Sequence, residues 1–154
     1  MVARSYRPAA HPATQGEVIS NGEFVFTSDR SRINLDAAYG LIVDTHWAGT
    51  LSREVLERAA ANSLCFGVLL GERLVGFARV ITDLATYAYL TDVVVHADFR
   101  GRGLGLWFMQ CVLEFPGLQE LRRVTLLTRD AEHLYERLGF ERGAGALIYM
   151  ERRP

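Results

Sequence analysis

The stretch Arg100-Gly101-Arg102-Gly103-Leu104-Gly105 holds the residues whose types and spacing point most directly to chemistry. Three glycines at the start of an apolar run are poor helix formers, each costing ~1 kcal/mol against alanine in a helix interior. They suit backbone that a ligand must approach closely. The first amides of a helix lack internal partners and sit at the positive end of its dipole, so such a junction attracts anions. Arg100 and Arg102 add guanidinium donors matched to phosphate. The stretch therefore reads as a pyrophosphate cradle at a strand–loop–helix junction. It is not the G-x-G-x-x-G dinucleotide fingerprint, and no Gly-Lys-Ser/Thr follows to make it a P-loop.

The elements that position this loop can be read outward from it. The β-branched run Val93-Val94-Val95 before it is strand-like, and Leu106 to Leu113 after it is a helix with a buried face, ended by Pro116-Gly117. Upstream, Glu23 to Ser28 alternates as a strand. A helix capped by Asn34 or Asp36 carries Leu35, Tyr39, Ile42, Val43 and Trp47, and a second runs from Ser52 to about Asn62. The period then changes: Cys65–Leu70 and Leu74–Ile81 form a hairpin about Gly71-Glu72, and Thr86–Val95 is a long strand. Downstream come a strand over Arg123–Thr128, a helix over Ala131–Leu138 capped by Asp130 and closed by Gly139, and a last strand over about Ala144–Glu151. This order predicts an α/β (α+β) layer domain.

Composition narrows the functional classes. The 154 residues suffice for one domain with a substantial core, here residues 18–154, preceded by a loose leader over Met1–Glu17. A net charge of −1 and a pI near 6.4 argue against nucleic acid or an anionic membrane as partner. No apolar run approaches the ~18 residues of a membrane span, and the N-terminus lacks the apolar core of a secretory signal. Cys65 and Cys111 read as buried free thiols in a reducing cytoplasm. His11, His46, His96 and His133 show no metal-ligand spacing with them, and no G-x-S-x-G elbow occurs, so neither a metal nor a serine nucleophile is expected.

With these motifs in view, the chain resembles the GCN5-related N-acetyltransferase (GNAT) family. Arg100 to Gly105 matches that family's Q/R-x-x-G-x-G/A loop. Leu90-Thr91-Asp92-Val93-Val94-Val95-His96 resembles its preceding strand, and Leu134-Tyr135-Glu136-Arg137-Leu138-Gly139-Phe140 resembles its L-Y-x-x-x-G-F signature. The resemblance covers roughly Glu23 to Glu151. It implies a mixed, mostly antiparallel sheet of six to seven strands with splayed central strands and about four helices. It implies acetyl-CoA as co-substrate and an amine as acceptor, a small molecule or a peptide; many relatives are homodimers.

The family's roles carry over by position. Gly101, Gly103, Leu104 and Gly105, with Arg100 and Arg102, would hold the pyrophosphate of CoA. Val93 and Val95 would pair with the pantetheine arm as an added strand, and an amide near Val93 or Val94 would face the acetyl oxygen. Tyr135 falls on the tyrosine that in many members protonates the CoA thiolate; the other reading is a core aromatic. Thr128 stands where many members carry an Asn that bonds pantetheine. The usual Glu or His base is absent, Tyr89 and Thr91 occupying the matching positions, where they would line the acceptor site. Asp92, turned inward by a bulge, and Asp83 are the carboxylates that could bind the amine or relay its proton. His46 and Trp47 would border the acceptor. The missing base leaves a second reading open, a CoA-binding sensor or interaction module that has lost catalysis.

Overall fold

Asn34 sets the first helix. Its side-chain oxygen accepts from the Asp36 and Ala37 amides at 2.9 and 3.0 Å, so Asn34 rather than Asp36 is the cap. The computed structural model describes residues 16–45, 49–143 and 148–154. Within them α1 spans Leu35–Val43 and α2 spans Arg53–Ala61, capped by Ser52. The six strands are β1 (Val18–Asn21), β2 (Phe24–Thr27), β3 (Leu64–Leu70), β4 (Arg73–Thr82), β5 (Tyr87–Val95) and β6 (Arg123–Leu126). They lie in one sheet in chain order. Every neighbouring pair is antiparallel except β5 and β6, which run parallel. Short turns join β1 to β2, β3 to β4 and β4 to β5, α1 and α2 lie between β2 and β3, and the parallel pair needs a crossover, which α3 (Leu104–Leu113) supplies. The last helix, α4, is short, Glu132–Glu136.

Helices cover both faces of the sheet. Phe26, Phe66, Phe108, Met109 and Phe115 form the core on the α3 side, while Ile42, Leu56, Cys65, Phe77 and Val94 form it on the α1 and α2 side. Burial on both faces explains why β3 and β4 read as nearly continuous apolar runs instead of alternating ones.

Four expectations change. β1 was not expected, because its four residues are mostly exposed and show no apolar alternation; Glu17, assigned to the leader, already exchanges hydrogen bonds with Ser28 at 2.8 and 3.2 Å. α1 stops at Val43, and Trp47 lies outside the described residues. α4 takes Ala131 as its cap instead of Asp130, and the Ala131 amide is bonded by Thr128 Oγ1 at 3.0 Å. Of the expected last strand, residues 144–147 lie outside the described set and Ile148–Glu151 form no strand. Ile148 and Met150 are 85% and 86% exposed, so among the described residues no neighbouring strand or core stabilises an extended pairing there.

Cys65 and Cys111 are free and buried, Cys65 beneath α2 with its thiol 3.7 Å from the Ala60 carbonyl. Burial pushes both thiols up from 9.0 to about 11. The folded state therefore holds these protons more tightly than the unfolded chain. Their contribution is complete below pH 9 and is lost as pH climbs toward 11. All 17 basic positions are arginine, so no lysine titrates in that window. The melting temperature is expected to fall from pH 9 upward, and Cys65→Ala/Cys111→Ala to flatten that slope. An unchanged slope in the double variant would assign the loss to other groups.

Candidate active site

The site begins where two strands part. β5 and β6 pair only from Tyr87↔Arg123 to Leu90↔Leu126, and β5 then runs on to Val95 with β4 as its strand partner. The register with β4 shifts between Phe77 and Arg79: Phe77 faces Val94 while Arg79 faces Thr91, so β5 carries one extra residue. This is a β-bulge, which bends a strand and strengthens its twist. Asp92 sits in it with φ 52°, a left-handed conformation uncommon outside glycine. Its Oδ2 accepts from Arg79 Nε at 2.7 Å, and both side chains are 13% exposed.

The bulge also sets which backbone groups face the opening. The His96 amide donates to the Val75 carbonyl at 2.8 Å, continuing the β4–β5 ladder. Bonding direction alternates along an antiparallel strand, so Val94 turns its amide and carbonyl toward β4, and Val93 and Val95 turn theirs into the split. Arg100 Nε occupies the Val95 carbonyl at 2.8 Å.

The glycine loop follows. Gly101 and Gly103 have φ of 74° and 79°, and an added Cβ at either would meet nothing within 4 Å. Glycine is required there by backbone angle and not by crowding. Gly103 is the N-cap of α3 and provides no side-chain cap; the first helical bond is Trp107 N–H to the Gly103 carbonyl at 3.1 Å. The amides of the first turn therefore remain available to an anion.

Two clefts meet at this split. The larger, about 810 Å³, is lined by Val93–Val95, by Gly101, Gly103, Gly105 and Leu106 at the α3 end, by Tyr135 and Arg137 on the α4 side, and by Asp44 and Thr45 at the end of α1. Since α1 and α3 cover opposite faces of the sheet, this cleft passes through its plane. The smaller, about 530 Å³, lies between Tyr89–Val93 and Leu127–Ala131. Val93, Asp130, Ala131 and Tyr135 border both. Tyr135 is 8% exposed, stands edge-on to Phe140 with centroids 5.7 Å apart, and burial pushes its phenol up to about 12. The chain after it is fixed by Phe140 N–H to the Tyr135 carbonyl and Gly139 N–H to the Glu136 carbonyl, a Schellman closure.

The structure brings most of the expected residues to these clefts. Tyr135, Val93, Val94, Val95, Arg100, Gly101, Gly103 and Gly105 line the larger, and Tyr89, Thr91, Asp92 and Thr128 the smaller. Others are placed differently. The Arg102 guanidinium sits over the Phe99 ring, 6.0 Å from its centroid, and lines neither cleft. The Leu104 side chain is in the core, leaving only its amide to the loop. Asp83 lines neither cleft either: the Thr86 hydroxyl, then the Thr86, Ala85 and Tyr87 amides, hold its carboxyl well below the usual range, so it is a turn cap. Asp92 is engaged by Arg79. His46 and Trp47 lie outside the described residues.

Sequence reasoning passed over Asp44, Thr45 and Arg137. Asp44 carried a signal: an acid at a helix C-terminus opposes the dipole, and the last turn of α1 has no basic residue to offset it. Arg137 occupies a variable position of the matched signature and carried none.

Residues 61–142 match the family model described as acetyltransferase (GNAT) domain. The crystal structure of a GNAT-family protein of Xanthomonas campestris pv. campestris (xcc2953) is 41% identical, with a TM-score of 0.79 over 85% of this chain and 93% of its own. The N-acetyltransferase ycf52 of Porphyra purpurea, named as uncharacterised, is 31% identical over 121 residues, covering 75% of this chain and 70% of that one. Likeness to the ribosomal-protein-S18-alanine N-acetyltransferase of Escherichia coli, at 22% identity and a TM-score of 0.63 over 79% of each chain, is one of fold. The split sheet, the uncapped glycine-rich helix start and these relatives agree: the chain belongs to the GCN5-related N-acetyltransferase family and is an acetyltransferase.

Proposed function

We propose that the protein moves the acetyl group of acetyl-CoA to a primary amine by direct attack within a ternary complex. The observation that carries this reading is the single cleft running from the uncapped start of α3, along the turned-out backbone of Val93 and Val95, past Tyr135 to Asp44 on the other sheet face. Acetyl-CoA, the co-substrate the family implies, would supply an acyl thioester already activated for transfer.

The residues present fit that group. The Val93 carbonyl and the Val95 amide offer a strand edge to pantetheine, a mode that draws affinity from main-chain bonds. The open amides of α3, with Arg100 and Arg137 at the cleft wall, suit a pyrophosphate. The Val93 N–H is placed to donate to a developing oxyanion. Tyr135 borders both clefts and keeps its proton, so it donates a hydrogen bond to the departing sulfur. The burial that raises this phenol to about 12 also raises the buried thiols Cys65 and Cys111 to about 11. A thiolate leaving beside Tyr135 is disfavoured by the same desolvation, which narrows the gap between acid and base.

The acceptor enters from the α1 side. There Asp44 presents a carboxylate with no ion-pair partner among the described residues, at the negative end of a helix. Both features attract a cationic amine, which gives its proton to water before attacking. A small-molecule amine or a peptide amine meets this requirement; a net charge of −1 offers little to nucleic acid. The relatives are named as acetyltransferases, which favours the enzyme over a binding module. Two free thiols suit a reducing cytoplasm.

Three measurements test these assignments. Tyr135→Phe is expected to lower kcat by roughly 10- to 100-fold in a thiol-release assay, with calorimetric acetyl-CoA affinity within about threefold of the wild type; undiminished turnover would remove Tyr135 from the chemistry. Gly103→Val places a branched side chain at φ 79° and should weaken acetyl-CoA binding by at least about 30-fold; intact binding would sink the cradle. Asp44→Asn should raise KM for a cationic amine by about 5- to 10-fold while leaving KM for acetyl-CoA unchanged, and the converse pattern would place the acceptor elsewhere.

A further inference from the structure

We infer that Arg79 and Asp92 form a positioning clasp that holds the β5 bulge, and through it the direction of the Val93 amide, and that Asp92 is not the group that takes the amine's proton. This rests on the acetyltransferase reading for its consequence in turnover, but its structural half stands on the strand geometry alone.

Four observations converge. Asp92 is one of two described non-glycine residues with positive φ, the other being Leu84 in the turn after β4. Glycine would adopt φ 52° with least strain, and the aspartate that stands there instead brings a carboxylate to the bulge. That carboxylate meets a guanidinium from the adjacent strand at 2.7 Å, with both side chains only 13% exposed. Charges so far removed from water are tolerated when paired, and removing one strands the other. Arg79 Nη1 also reaches Ser63 Oγ at 3.4 Å, and Thr91 Oγ1 approaches Asp92 Oδ1 at 3.4 Å, so both ends of the pair are braced.

The bulge decides the phase of everything beyond it. Without the extra residue, Val93 and all that follows would slip by one position against β4. A one-residue slip sends every side chain to the opposite face and reverses every backbone pair. Val93 and Val95 would then bond to β4, Val94 would leave the α1-side core, and the edge offered to the cleft would be the wrong one. Asp92 itself borders the smaller cleft, where a base would be sought, but its oxygens face Arg79 and Thr91.

Asp92→Asn, Asp92→Gly, Asp92→Ala and Arg79→Met in the full chain separate the two roles. Asparagine adopts the left-handed conformation readily and still accepts from Arg79. Asp92→Asn is therefore expected to keep kcat within about fivefold and the ¹⁵N shift of the Val93 amide near its wild-type position. Asp92→Ala and Arg79→Met should each lower kcat by about 100-fold, the scale of an ångström-level misplacement, and move the Val93–Val95 amide shifts. Asp92→Gly, which keeps the backbone angle without the anchor, should fall between them and serves if Asp92→Ala does not fold. Asp92→Asn as inactive as Asp92→Ala with an unmoved Val93 amide would make the carboxylate a proton acceptor and overturn the proposal. So would Arg79→Met or Asp92→Gly indistinguishable from the wild type in both readouts. A wild-type protein that releases no thiol with any amine would defeat the acetyltransfer reading, and the amide shifts would still decide the clasp.

Discussion

A strand edge without a strand neighbour is the constraint on which this molecule turns. Past Leu90 the ladder between β5 and β6 stops, and β5 continues to Val95 with half of its backbone groups turned into open space. Backbone donors and acceptors are costly to leave unmet in a protein interior. The fold answers in two ways. One carbonyl, that of Val95, is taken up internally by Arg100. The remaining groups stay open, an edge that the proposed reading gives to an extended, amide-rich ligand. The crossover through α3, the shortness of β6 and the position of α4 all follow from keeping that edge open.

The residues around the opening depart from local stability rules. Asp92 holds a backbone angle better suited to glycine, Gly103 starts a ten-residue helix with no side-chain cap, and Asp44 places negative charge at the end of a helix where positive charge is favoured. Away from the clefts Asn34 and Ser52 cap their helices and Asp83 satisfies its turn, with Leu84 at φ 59° a departure in that same turn. Such departures concentrate where function competes with stability. They cluster here on the two clefts that meet at the split.

Much of this was legible in the sequence. β3, β4 and β5 showed themselves because a sheet covered on both faces needs long apolar runs, and the glycine loop because glycines at a helix start contradict propensity. The cleft-facing role of Val93 and Val95 was implied by resemblance, and the His96–Val75 hydrogen bond supplies its geometric cause. What escaped were features set by tertiary pairing. The bulge at Asp92 was expected, but its Arg79 partner was not, because it lies thirteen residues away across a register shift. Asp83 read as a site acid because a turn cap and an active-site carboxylate are the same letter. Arg102 read as a phosphate ligand from its chemistry, its place in the loop and the resemblance, whereas its guanidinium stands over the Phe99 ring.

The arginines at the cleft have a chemical consequence. Arg100 and Arg137 line the donor half, Arg79 braces the bulge, and the chain contains no lysine at all. A guanidinium keeps its charge at every physiological pH and offers no free amine lone pair. A lysine in the same places would alternate with its neutral form beside an acyl thioester and discharge it onto the protein. On the proposed reading, cations built only from guanidinium groups would attract phosphate without setting a competing side-chain amine next to the acyl donor.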